Sequence, residues 1–466
     1  MRRITTIRTA VALGATAVFT LGLTVAAAAG NATAASRVTA NGGQVSNDQV
    51  NSGQLAANTV AQRLQSAVSA DRLPGFAGIE VDPSPTYPGV TIYWRGRVPS
   101  LLPRLAAAAG TAAASGIAAG VTVRFQQAPY TQAQLLGLQN AISDSRKFDE
   151  AGISSMGFFP QATGFWINVN TKADLAKAHA LVGHPQIPVH YAVSPGAMLS
   201  LPVPAPLAIA PKHPGRYKDT APFWGGDFIQ SKHGATPYAC SSGFGMHNTG
   251  KKGAPWFMLT AAHCMILTEQ ASQRFWITGN LKNVGVTHFF SPDDDVISLF
   301  MDKPYGVPGA GGGSYIYTGA TSFTNSNGQK ATPVLGAKKV FAGDLVSTSG
   351  AFSGQSNGIK IQTTTWKWNA ATVDGIGYQV LGALAYQIHH LNSAGHGDSG
   401  GPVFIQVKGG VEAVGIISAT RSTADKAPCT GVDPGRGCYW SLEFPLMTGT
   451  STSIETEMKL SVNTTS

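Results

Sequence analysis

Between residues 74 and 194, apolar positions recur with a period of two in some stretches and with helical spacing in others, and the two patterns alternate along the chain. Val90-Thr91-Ile92-Tyr93-Trp94 reads as a strand, Leu101 to Ala114 as a helix, and Val121-Thr122-Val123-Arg124-Phe125 as a second strand. Gln132 to Ile142 has helical spacing, Gly164-Phe165-Trp166-Ile167-Asn168-Val169 is extended, and Lys172 to Val182 is helical again. This part predicts a small α+β domain. Beyond Phe223 the pattern changes to short apolar strands broken by Gly, Ser and Asn turns, which predicts an all-β barrel or sandwich. Residues 37–73, rich in Asn, Gln, Ala and Ser, are expected to be a flexible or weakly helical lead-in. From Pro195 to Pro222 seven prolines fall within 28 residues, so an extended, accessible linker is expected there, and with it the processing site.

The first residues add a targeting signal. Arg2, Arg3 and Arg8 precede an apolar run from Ala10 to Ala29, no further charge appears until Arg37, and Ala32-Thr33-Ala34 offers a small-residue cleavage site. The run is about long enough to span a bilayer. Its alanine and glycine content favours a removable secretory signal at 1–34 over an anchor, so secretion is expected, with no membrane association after signal removal.

A formal charge of +9 over 466 residues invites a nucleic-acid reading, but its distribution opposes one. Residues from Phe223 onward carry a net charge of only +1, and the other +8 lies in the first 222 residues. The C-terminal part therefore lacks the basic footprint that nucleic-acid binding needs.

Two segments carry the chemistry: Thr260-Ala261-Ala262-His263-Cys264 and Gly397-Asp398-Ser399-Gly400-Gly401-Pro402. A serine hydroxyl is a poor nucleophile unless an imidazole removes its proton, and the oxyanion formed next must meet fixed N–H donors. Glycines around Ser399 permit a tight turn in which the amides of Gly397 and Ser399 point at one spot. The acid that would orient the histidine must lie between the two segments. Only Glu269, Asp293, Asp294, Asp295, Asp302, Asp344, Asp374 and Asp398 are available.

Both segments match, in sequence and order, the diagnostic blocks of the chymotrypsin-like serine peptidases, and residues 223–466 resemble that family. The strand Trp256 to Thr260 leads into His263 as the family's strand leads into its catalytic histidine. Asp293-Asp294-Asp295 before Val296-Ile297-Ser298-Leu299-Phe300 is similar to the family's aspartate followed at once by a strand. The resemblance implies two six-stranded antiparallel barrels. It implies catalytic His263, Asp295 and Ser399, with Asp294 the alternative acid, and an oxyanion hole at Gly397 and Ser399. The rival reading of the acidic run is solvated turn carboxylates or a weak calcium site.

Four cysteines, Cys240, Cys264, Cys429 and Cys438, leave three connectivities open. The family pattern implies bridges Cys240–Cys264 and Cys429–Cys438, and the spacing is poor for zinc. By the same resemblance Ser393 lies at the base of the substrate side-chain pocket. It brings no counter-ion for Lys or Arg. His396 lies near the pocket mouth, Ser418 on the strand that binds substrate backbone, and Thr420 where the family often has a pocket-wall glycine. The usual Ile-Val start is missing near Phe223-Trp224-Gly225-Gly226, which leaves another basic group to hold Asp398. His389 and His390 lack a third ligand at sensible spacing for a metal.

Residues 74–194 are similar in layout to the propeptides of secreted actinobacterial peptidases of the streptogrisin and α-lytic type. The expected organisation is thus a signal at 1–34, a propeptide region at 35–194, a processing linker at 195–222 and a peptidase domain at 223–466. The expected protein is a monomeric secreted serine endopeptidase needing no cofactor or metal. Its expected partners are protein or peptide substrates and its own propeptide, as inhibitor or folding aid. The contrasting class is a catalytically silent binding or adhesion protein on the same fold.

Overall fold

The computed structural model of the chain describes residues 52–70, 73–85, 87–113, 120–145, 148–198, 201–202, 215–233, 236–248, 256–265, 273–279, 281–301, 314–322, 326–372 and 374–465. The chain divides into Met1–Gln49 and Val50–Ser466, and every described residue belongs to the second unit. The expected signal peptide lies outside the described residues.

The lead-in contains more structure than its composition predicts, for residues 52–70 form the 19-residue helix α1 (Ser52–Ala70). Ala57, Val60, Ala61, Leu64 and Val68 recur at helical spacing and are buried against Ile79, Val90 and Ile92. Burial of that stripe, rather than intrinsic propensity, accounts for the helix. There follow β1 (Phe76–Asp82), β2 (Gly89–Trp94), α2 (Leu101–Ala113) and β3 (Thr122–Gln127). Strands β1 and β2 are antiparallel, and α2 is the crossover that brings β3 parallel to β2. Next come α3 (Gln132–Ser143), β4 (Ile153–Gly157), β5 (Phe165–Val169), α4 (Lys172–Val182) and β6 (Val189–Val193). Helix α3 starts on a reciprocal cap between Thr131 and Gln134, worth about 1 kcal/mol. Strand β5 pairs antiparallel with β4 and parallel with β6, again across a helix. Two strands of two residues each, β7 (Ala197–Met198) and β8 (Leu201–Pro202), lie in the proline-rich stretch.

From here the chain is almost entirely β. It continues through β9 (Phe228–His233), β10 (Thr236–Ser241), β11 (Gly245–Asn248), β12 (Trp256–Ala261), β13 (Arg274–Ile277), β14 (Asn283–Ser291), β15 (Val296–Phe300), β16 (Tyr315–Gly319) and β17 (Gln329–Ala337). The second half adds β18 (Leu345–Gly350), β19 (Gly354–Ala371), β20 (Gly377–Gln387), β21 (Ala394–Gly395), β22 (Pro402–Val407), β23 (Gly410–Ile416), β24 (Ala419–Thr420), β25 (Cys438–Tyr439) and β26 (Ser441–Phe444). A short helix α5 (Ile454–Met458) and β27 (Leu460–Val462) end it. One sheet runs β27-β11-β12-β15-β14-β13-β9-β10-β8, a second runs β16-β17-β23-β22-β18-β19-β20-β26-β24-β7, with β4, β5 and β6 added at β19, and β21 and β25 form a small sheet of their own. The mostly β architecture agrees with the strand pattern, and the pairings trace two open paths of strands. A shared apolar cluster joins the sheets, with Met246 and Leu259 from the first meeting Phe404, Ala413 and Ile416 from the second.

The N-terminal segment is bound to this β body at two places. The Gln54 side chain donates to Leu345 O and accepts from Leu345 N, while Val81 N donates to Ala342 O. At the second place β4 pairs antiparallel with β19, Met156 opposite Lys367 and Ser155 opposite Trp368. The end of the linker, expected to be accessible, is instead built into the body. Arg216, Tyr217 and Asp219 are buried. The Arg216 guanidinium donates to Gly226 O (3.1 Å), Gly350 O (3.3 Å) and Ser349 Oγ (2.8 Å), as a buried cation requires. Burial lowers its pKa to about 10, and nearby Asp227 opposes that shift.

Candidate active site

Strand β12 delivers His263 to the seam between the sheets. Its residues Phe257 to Ala261 are buried, and the strand ends in a single tight turn, Ala262–Cys264. The turn is anchored by the disulfide Cys240–Cys264, a separation of 24 residues, and by Ser231 Oγ donating to Cys264 O at 2.8 Å. The second implied bridge, Cys429–Cys438, is also formed.

Asp295 closes the turn Pro292–Asp294 in the left-handed region (φ 49°, ψ 43°), directly before β15. Its Oδ2 lies 2.7 Å from His263 Nδ1, and its Oδ1 accepts from the His263 amide at 2.9 Å. A carboxylate only accepts, so Nδ1 carries the proton and Nε2 is left as an acceptor. Ser399 Oγ lies 2.6 Å from that Nε2. All three residues are buried, His263 being 1% exposed and the other two 0%. Asp294, the alternative acid, is turned the other way and accepts from Ser291 Oγ at 3.0 Å. Burial, with the neighbouring Glu457, Asp293 and Asp295 adding to it, pushes its carboxyl up to about 8 against the Ser291 hydrogen bond.

The turn at Ser399 depends on glycine. Gly397 has φ +93°, and a Cβ there would lie 2.4 Å from the Phe352 ring. Ser241 holds the turn in place: its amide donates to Ser399 O (2.7 Å) and its hydroxyl to Gly397 O (2.9 Å). Asp398 N donates to Gly395 O and Gly400 N to Ile417 O. Those bonds alternate with the amides of Gly397 and Ser399 along the turn. The Asp398 carboxylate accepts from the amides of Phe352 (3.0 Å), Ser353 (2.9 Å) and Gly395 (2.7 Å), and from the Ser353 hydroxyl. Arg436, inside the Cys429–Cys438 loop, lies 3.9 Å from it and donates to Ser353 Oγ at 2.7 Å.

Other expected site residues are distributed around this centre. Ser393 is buried, with its hydroxyl donating to Trp440 O at 2.8 Å. His396 is half-buried and stands edge-on to Tyr439, ring centroids 5.9 Å apart. The Ser418 hydroxyl donates to Asp295 Oδ2 at 2.5 Å, so the side chain serves the acid while the backbone runs on into β24. His390 stacks on Trp440 at 4.4 Å. Among the described residues no group of three or more His, Cys, Asp or Glu side chains could hold a metal ion, and no helix is long and apolar enough to cross a membrane.

Three contributors were missed by sequence reasoning: Ser241, Arg436 and Tyr378, whose hydroxyl donates to Asp295 Oδ1 at 2.6 Å. Ser241 and Arg436 act largely through backbone partners, which leave no spacing signal. Tyr378 sits in an unremarkable alternating strand.

No protein-family model matches the chain, and no curated protein matches it significantly. Among solved structures, a glutamic-acid-specific serine protease is 19% identical, with 52% of this chain and 100% of that one covered. Protease A of Thermobifida fusca is 21% identical, covering 52% and 97%, and a Nocardiopsis protease is 18% identical, covering 52% and 98%. The TM-score is 0.33 for each. The chemistry of the centre follows from its own distances, not from that likeness.

Proposed function

We propose that the chain is a secreted serine endopeptidase made as a proenzyme, with Ser399 as nucleophile, His263 as general base and acid, and Asp295 as the carboxylate that orients the ring. The unbroken chain from Asp295 Oδ2 through both nitrogens of His263 to Ser399 Oγ, at 2.7 and 2.6 Å, carries this reading. As Ser399 Oγ attacks a peptide carbonyl carbon, its proton passes to His263 Nε2 and Asp295 stabilises the imidazolium. The oxyanion is met by the amides of Gly397 and Ser399. Collapse gives the amine, protonated by His263, and an acyl-enzyme; water activated by the same imidazole then releases the acid. Asp398 already has amide, hydroxyl and guanidinium partners, which supports a turn that forms without a new N-terminus. Ser393 supplies no carboxylate for Lys or Arg, which favours an apolar substrate side chain. Two disulfides suit an exported protein.

The proenzyme reading is supported by what lies on either side of Ser399. Strand β7 adds antiparallel to β24 beside Ser418, and β8 adds antiparallel to β10 beside Ser241. Extended substrates bind by this kind of strand addition. The described strands β7 and β8 of the chain itself would thus occupy the edges where a substrate adds, and processing within the linker 195–222 would free them.

Treatment of the secreted product with a fluorophosphonate is expected to label Ser399 stoichiometrically, and N-terminal sequencing is expected to find a start within or at the end of the linker 195–222, near Phe223. A folded, processed chain that takes no label would make the protein a catalytically silent member of its fold.

A further inference from the structure

Asp295 is fully buried, and a buried carboxylate needs donors on both oxygens. It has four: the His263 amide (2.9 Å) and the Tyr378 hydroxyl (2.6 Å) at Oδ1, and the His263 ring (2.7 Å) and the Ser418 hydroxyl (2.5 Å) at Oδ2. Three of these come from residues already tied to the centre. The fourth comes from β20, the second strand of the long hairpin β19–β20, where Tyr378 lies opposite Ala370. Its ring stands edge-on to Phe290 at 5.5 Å, and Phe290 lies near the end of β14, separated by one residue from the turn that carries Asp295. A phenylalanine would make that ring contact equally well. The hydroxyl adds only the hydrogen bond to the acid.

We infer that Tyr378 is a positioning residue of this centre, its hydroxyl holding Oδ1 so that Oδ2 faces His263 Nδ1 and sharing the charge that Asp295 turns toward the ring. The inference rests on reading the centre as a serine-peptidase triad. Burial, then the adjacent Asp295 charge, holds the Tyr378 phenol well above its ordinary pKa, so it remains a donor through the neutral range. The other titratable groups against Asp295 are His263 and the neighbouring Asp294. The same hairpin also reaches the acid from its other strand: the Trp368 indole N–H donates to Ser418 Oγ at 3.3 Å, while the Trp368 backbone pairs with Ser155 of β4. One hairpin therefore touches both the acid and the N-terminal segment.

The test is Tyr378→Phe in the chain as produced, which keeps the ring and removes the donor. Fluorophosphonate labelling of Ser399 should slow about tenfold, the equivalent of one charge-assisted hydrogen bond. The acid limb of its pH profile should move to higher pH, because a carboxylate with one donor fewer holds the imidazolium more tightly. The NMR titration of the His263 ring, assigned with His263→Ala, should move the same way. Incorporating 3-fluorotyrosine at 378, a more acidic phenol, should move both in the opposite direction and decides the matter if the Phe variant does not fold. An unchanged pH profile and an unchanged ring titration would overturn the inference while leaving the triad intact. A wild-type chain that fails to label, but whose His263 titration still responds to Tyr378→Phe, would instead overturn the peptidase reading and leave the positioning role.

Discussion

At Asp295 the backbone occupies the left-handed region, which costs a residue other than glycine about 1–2 kcal/mol and which aspartate tolerates better than most. That twist sends the carboxylate of 295 toward His263 and leaves the carboxylate of 294 facing Ser291. Asp295→Asn should lower turnover by about four orders of magnitude, since an amide no longer fixes the Nδ1–H tautomer. Asp294→Asn, which only makes permanent a side chain already held neutral below about pH 8, should leave turnover within a small factor. Steady-state kinetics of the two variants compare them directly. The sequence reading named Asp295 and kept Asp294 as the alternative, because neighbours in a turn point in different directions and only the backbone torsion selects among them. Glu443 poses a different question. It is buried, accepts from Trp366 Nε1 at 2.7 Å, and burial pushes its carboxyl up to about 8. A carboxyl whose folded pKa lies above its unfolded value favours the fold at low pH, and that advantage is lost as pH rises between the two values. The loss is about 1.4 kcal/mol per pH unit for one group across that window. Glu443→Gln should flatten the decline of Tm between roughly pH 5 and 8.

Among the elements, β12 and β15 were readable almost to the residue, because continuous apolar runs bounded by turn residues leave few alternatives. Strands β1 and β4 were not, since Phe76-Ala77-Gly78-Ile79 and Ile153-Ser154-Ser155-Met156-Gly157 mix glycine and serine into positions that are buried only after pairing. The β4–β19 junction shows why the glycine is there. A Cβ on Gly157 would lie 2.6 Å from the Trp366 ring and 2.9 Å from Thr365 O. Gly157→Val should therefore disturb the docking of β4 more than the interior of either partner. Calorimetry is expected to resolve two thermal transitions in this variant where the parent has one; a single transition at the parental temperature would show that the close approach is dispensable.

On the scale of the whole molecule, the linker illustrates how composition misleads. Proline content predicts an exposed tether for residues 195–222, yet Arg216, Tyr217 and Asp219 are buried, because one guanidinium finds three acceptors in Gly226, Gly350 and Ser349. No spacing rule connects an arginine in a proline-rich stretch to carbonyls 10 and 134 residues away. Strand β19 also has a consequence for the proposed removal of the N-terminal segment. It is 18 residues long, and β4 covers its backbone at Lys367 and Trp368, beside the large buried side chains Trp366 and Trp368. Loss of the N-terminal segment would turn that stretch into an open sheet edge, a template on which any extended chain can crystallise into register. On the proposed processing, the N-terminal segment is also a cover against self-association, and the solubility of the product should depend on how the bared edge is re-covered.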